Sequence, residues 1–75
     1  MTIQQLIEKL QELDPNTVVF VDGYEGGYAD VSIDSVEDFA LNVNTDWYYG
    51  PHSLLSTAPV NADYETVKGV CLRRI

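Results

Sequence analysis

Residues 17–33 read TVVFVDGYEGGYADVSI, and this stretch decides the fold class. Its first part, TVVFVD at 17–22, is β-branched and aromatic with apolar side chains in both parities. That is the pattern of an internal strand covered on both faces, which places it near a sheet centre with a helix on one side. Gly23, Gly26 and Gly27 then interrupt the chain with residues that tolerate positive φ, so VDGYEGGYAD at 21–30 reads as a glycine-rich loop between two apolar runs. Beyond it, Val31 and Ile33 alternate with polar residues until the phase breaks near Asp34 and Ser35, as at a turn or a bulge. Phe39, Leu41 and Val43 resume the alternation. Two strands, roughly 30–34 and 37–44, fit this pattern, and so does one long bent strand.

Outward from this stretch, the N-terminal side is helical. Thr2 and Gln5 have the spacing of a capping box. Ile3, Leu6, Ile7, Leu10 and Leu13 share one face of a helix over about residues 2–13, with Gln4, Gln5, Glu8, Lys9, Gln11 and Glu12 on the other. Pro15 stops it. On the C-terminal side, residues 44–63 carry two prolines, a glycine and many small polar residues, which marks a long loop with a short helical turn at Ser53–Ser56. The closing ETVKGVCLRRI alternates as a last strand. The expected architecture is a single α+β domain over 1–75: an N-terminal amphipathic helix packed on a three- to four-stranded, mainly antiparallel sheet.

A chain of 75 residues has a thin core, and its single cysteine, Cys71, cannot staple it with an internal disulfide. Tight packing and self-association are the remaining sources of stability, so a homo-oligomer is expected, with a dimer favoured. Twelve acidic against four basic residues give a formal charge of −8, which speaks against direct nucleic-acid binding and against anionic membrane surfaces. No apolar run reaches the length of a signal core or a membrane span, and a cytoplasmic location is expected.

Two segments carry the candidate binding residues. In the first, Tyr24 and Tyr28 project from the glycine loop, where Gly26 and Gly27 let a ligand approach the main chain. In the second, WYYGPH at 47–52, stand Trp47, Tyr48, Tyr49 and the lone histidine, His52. These two loops hold five of the eight aromatic residues, a density that suits a platform for a planar ligand or for a partner's apolar anchors. The plain alternative is that the rings cap the edges of a small core. Lys68, Arg73 and Arg74 are candidate phosphate contacts if the last strand approaches either loop. Catalysis is not expected. GYEGG matches neither nucleotide-binding glycine motif, and Asp22, Glu25, Asp30 and His52 lack the spacing of a metal site. Cys71 reads as a buried small hydrophobe. No motif calls for a cofactor.

TIQQLIEKLQELDPNTVV, VDGYEGGYADV and NVNTDWYYGPH together resemble small accessory proteins of tailed bacteriophages and prophages. The resemblance implies a non-enzymatic protein acting inside a bacterial cell, where such proteins often neutralise host defences. Three readings follow. One is a binder that sequesters a nucleotide-derived immune signal. Another is an acidic inhibitor that occupies the nucleic-acid groove of a basic host protein. The last is a structural or interaction domain. The first is preferred, because aromatics clustered with glycines suit a pocket, whereas the carboxylates here are dispersed rather than set in rows.

Overall fold

Thr2 opens helix α1 (Ile3–Leu10) through a complete capping box. In the computed structural model, which describes all 75 residues, the Gln5 N–H donates to Thr2 Oγ1 at 3.2 Å and the Thr2 N–H donates to Gln5 Oε1 at 2.8 Å. Both donors would otherwise be orphans of the first turn. The helix is shorter than its apolar periodicity predicts because its last turn tightens: Glu12 donates to the Lys9 carbonyl and Leu13 to that of Leu10. Asp14 Oδ1 then accepts from the Asn16 N–H at 2.8 Å and turns the chain. No helix is long and apolar enough to cross a membrane.

The remainder is β-structure: β1 (Phe20–Asp22), β2 (Tyr28–Ile33), β3 (Glu37–Ala40), β4 (Ser53–Leu54), β5 (Thr66–Gly69) and β6 (Leu72–Arg74), with a 3-10 turn at Leu55–Thr57. The fold is α+β with antiparallel pairing throughout, in two three-stranded sheets ordered β1-β2-β6 and β4-β3-β5. The division has a local cause. Ile33 faces Leu72, the Asp34 N–H donates to the Cys71 carbonyl, and Glu37 faces Gly69, so Ser35 and Val36 lie against Val70 alone. This bulge settles the phase break read at Asp34 and Ser35, giving two strands rather than one bent one, and it divides the expected closing strand into β5 and β6. It also re-aims side chains. Ile33 and Phe39 have the same parity, yet Ile33 is 74% exposed while Phe39 is half-buried over Gly69.

The placement of 17–22 differs from the expectation. Only Phe20–Asp22 is strand, and it forms an edge of its sheet rather than the centre, which β2 occupies. Apolar side chains in both parities say that both faces favour cover, but the periodicity is silent on whether this chain supplies it. It does not: α1 makes no extensive contact with either sheet. The buried set is two alanines, Ala40 on β3 and Ala58 after the 3-10 turn. Cys71 is half-buried rather than buried.

Candidate functional site

The glycine loop is a five-residue turn closing β1 onto β2, with the Gly23 N–H donating to the Gly27 carbonyl at 3.0 Å. The left-handed positions are Gly27 and Glu25, each with φ of 64°, and not Gly23 or Gly26. Gly23 is required for space instead, since the Gly26 carbonyl oxygen sits 2.4 Å from where a Cβ would stand. The turn lifts Tyr24 and Tyr28 into solvent.

The β2–β6 pairing brings the C-terminal arginines to this loop. Val31 faces Arg74 and Ser32 faces Arg73, and the Arg74 guanidinium carbon lies 5.3 Å from the centroid of the Tyr24 ring, a cation–π contact. Between β1 and β6 runs an open groove of about 650 Å³, lined by Val21, Asp22, Leu72, Arg73, Arg74 and Ile75. Arg73 Nε is held by Asp34 Oδ2 at 2.6 Å. Lys68 stands on the other sheet, its Nζ 2.8 Å from Asp38 Oδ1. Arg74 is in no ion pair, so it is the arginine of the groove with charge to spare.

The second aromatic segment is the tip of a loop joining β3 to β4. Its base is laced by several bonds. The Asn42 N–H donates to His52 Nδ1 at 3.0 Å, and the Val43 and Asn44 N–H groups both donate to the Pro51 carbonyl. Asn44 Nδ2 donates to the Gly50 carbonyl at 2.8 Å and to Ser53 Oγ at 2.9 Å. His52 is thus a clasp at the loop base, and its Nδ1 is occupied. At the tip Trp47 is 93% exposed and meets Tyr48 edge-on, with centroids 5.7 Å apart at 89°.

The chain matches no protein-family model, no curated protein and no solved structure.

Of the residues named from sequence, Tyr24 meets Arg74, and Arg73 lines the same groove as Arg74. Gly26, Gly27 and Tyr28 share their turn. Trp47, Tyr48 and Tyr49 form a separate exposed tip, and no ring of one loop stacks on a ring of the other. The groove residues Val21, Leu72 and Ile75 were invisible to sequence reasoning, because only the pairing register of β6 makes them neighbours of the glycine turn. Asn44 was equally silent, as one of many polar loop residues.

Asn44→Ala is expected to cost about 1–2 kcal/mol, since it removes both side-chain bonds that hold the loop base. Urea unfolding followed by far-ultraviolet circular dichroism should show a lowered midpoint. An unchanged midpoint would mean that the lacing contributes nothing.

Proposed function

We propose that this chain is a non-catalytic phage accessory protein that binds a nucleotide-derived signalling molecule inside the bacterial host and keeps it from its receptor. The observation that carries the reading is the Arg74–Tyr24 pair at the rim of a groove that also contains Arg73. In a chain of charge −8, two of only four basic residues line this one groove, and one of them lies over an exposed ring. Phosphate would sit at the β6 end, on Arg74 and on the Arg73 guanidinium shared with Asp34, by charge-assisted hydrogen bonds. Asp22 at the β1 end repels phosphate but accepts from ribose hydroxyls, which orients a nucleotide along the groove. The base stacks on a tyrosine face, a contact worth about 1–3 kcal/mol. The distance-screened charge of the remaining surface opposes this weakly at physiological salt.

The test is a thermal-shift panel of cyclic oligonucleotides and ADP-ribose derivatives at fixed protein concentration. A ligand at 100 times its Kd adds about 2.7 kcal/mol, a rise in Tm on the order of 10–20 °C for a domain of this size. Arg74→Gln is expected to abolish the rise while leaving the unliganded Tm unchanged. A flat panel with wild-type protein removes the proposal. Capture of a basic protein from host lysate that is lost at high salt would favour the inhibitor reading instead.

A further inference from the structure

Residues 3–22 carry an apolar surface that the chain leaves largely uncovered. Ile3, Ile7, Leu10 and Leu13 of the helical face are exposed, and α1 makes no extensive contact with either sheet. Val18, Val19 and Phe20 are 67%, 51% and 57% exposed. The Val18 and Val19 backbone groups make no hydrogen bond, although the sequence there is strongly strand-forming. An unpaired apolar edge of this kind is a template for another strand.

The surface area says how much cover is missing. A folded monomer of 8.4 kDa exposes about 4,600 Å², whereas this chain exposes 6626 Å². Its radius of gyration is 14.9 Å, against about 11 Å for a compact domain of this length. The excess is about 2,000 Å² per chain. Obligate homodimers bury about 2,000–5,000 Å² in total, or about 1,000–2,500 Å² per chain, so one such interface accounts for the excess.

We propose that the occupant is a second copy of this chain, docked through residues 3–22. The charge pattern selects it. Residues 15–21, PNTVVFV, contain no charged side chain, so two copies meet there without like-charge repulsion, and the carboxylates of the surface, Glu8, Glu12, Asp14 and Asp22, lie outside this uncharged stretch. Antiparallel pairing of the 17–22 segment with its symmetry mate is self-complementary and closes after two chains. It extends β1 back to Thr17, joins the two β1-β2-β6 sheets edge to edge, and carries each α1 across to the partner, where its apolar face covers the joined sheet. The expected helix-on-sheet packing is thereby made between chains. This inference does not rest on the ligand reading, although Val21 and Asp22 belong both to the groove and to the pairing segment.

Sedimentation of the full chain at micromolar concentration should give twice the 8.4 kDa chain mass, with a Tm that rises with protein concentration. In native-state hydrogen exchange the Val18 amide, which has the strand parity that points away from β2, should be protected, although it has no bonding partner within its own chain. Val19→Lys and, separately, Ile7→Asp should lose the dimer, whether the product is a folded monomer or an unfolded chain. A wild-type monomer with concentration-independent Tm overturns the proposal. So does a dimer that survives both substitutions, a dimer whose Val18 amide exchanges freely, or an open-ended polymer.

Discussion

Gly23→Ala is expected to lower stability by on the order of 3 kcal/mol, through a clash that no side-chain rotation relieves. The new Cβ would stand 2.4 Å from the Gly26 carbonyl oxygen and 3.3 Å from the carbonyl carbon and oxygen of Gly27. All three are main-chain atoms of the same turn, held in place by the Gly23 N–H bond to the Gly27 carbonyl. Relief requires opening that bond, which separates the ends of β1 and β2 and moves Tyr24 away from Arg74. The loop supplies its own controls. Gly26 has no atom within 4 Å of its Cβ position and no positive φ, so Gly26→Ala should change stability by less than about 0.5 kcal/mol. Gly27 has open space but a φ of 64°, and Gly27→Ala should cost about 1 kcal/mol. Chemical denaturation of the three variants should therefore rank them Gly23, Gly27, Gly26 in descending damage. Equal effects at Gly23 and Gly26 would mean that the turn does not close as described.

The second large effect belongs to Ala40→Leu, expected to cost about 1–3 kcal/mol by overpacking. Ala40 is the one residue with no exposed surface. It lies on the central strand of the β4-β3-β5 sheet, between Ser53 and Thr66, where the 3-10 turn at Leu55–Thr57 closes over β3. A leucine there has to lift the turn or part the strands, and neither movement is available without losing pairs from a β4 only two residues long. Ala62→Leu is the exposed control and should stay within about 0.5 kcal/mol. The midpoint in urea should fall for Ala40→Leu at unchanged slope, because the amount of surface exposed on unfolding is nearly the same. A site that accepts leucine without loss would show that this sheet has slack around β3.

Both effects are large against the roughly 5–15 kcal/mol that holds an ordinary domain together. In a chain whose buried set is two alanines, much of the total is expected to come from association, so these experiments are best run at one protein concentration.

How legible the candidate site was in the sequence differs from residue to residue. Tyr24, Tyr28 and the exposed 47–49 tip were found because aromatic rings beside glycines and prolines have no core to enter. That Arg74 meets Tyr24 was only conditional, since it depends on β6 lying beside β2 and in the register that sets Val31 against Arg74. The assignment of Lys68 to the same group failed to appear because the bulge opposite Val70 sends β5 into the other sheet. The identity of His52 as a loop clasp rests on a bond to Asn42, ten residues away, that no local pattern announces.

Local chemistry alone determined the capped helix start, the stop at Pro15, the glycine-rich loop within 21–30 and the strand character on either side of it. Each depends on residues within a few positions of one another, whose steric and hydrogen-bonding preferences act before any tertiary contact forms. Which strands became neighbours, that one expected sheet is two, and that α1 and the 17–22 segment keep their apolar faces open were decided only in three dimensions. Periodicity states that a face favours burial; distance along the chain carries no information about which surface, in this molecule or another, is placed against it.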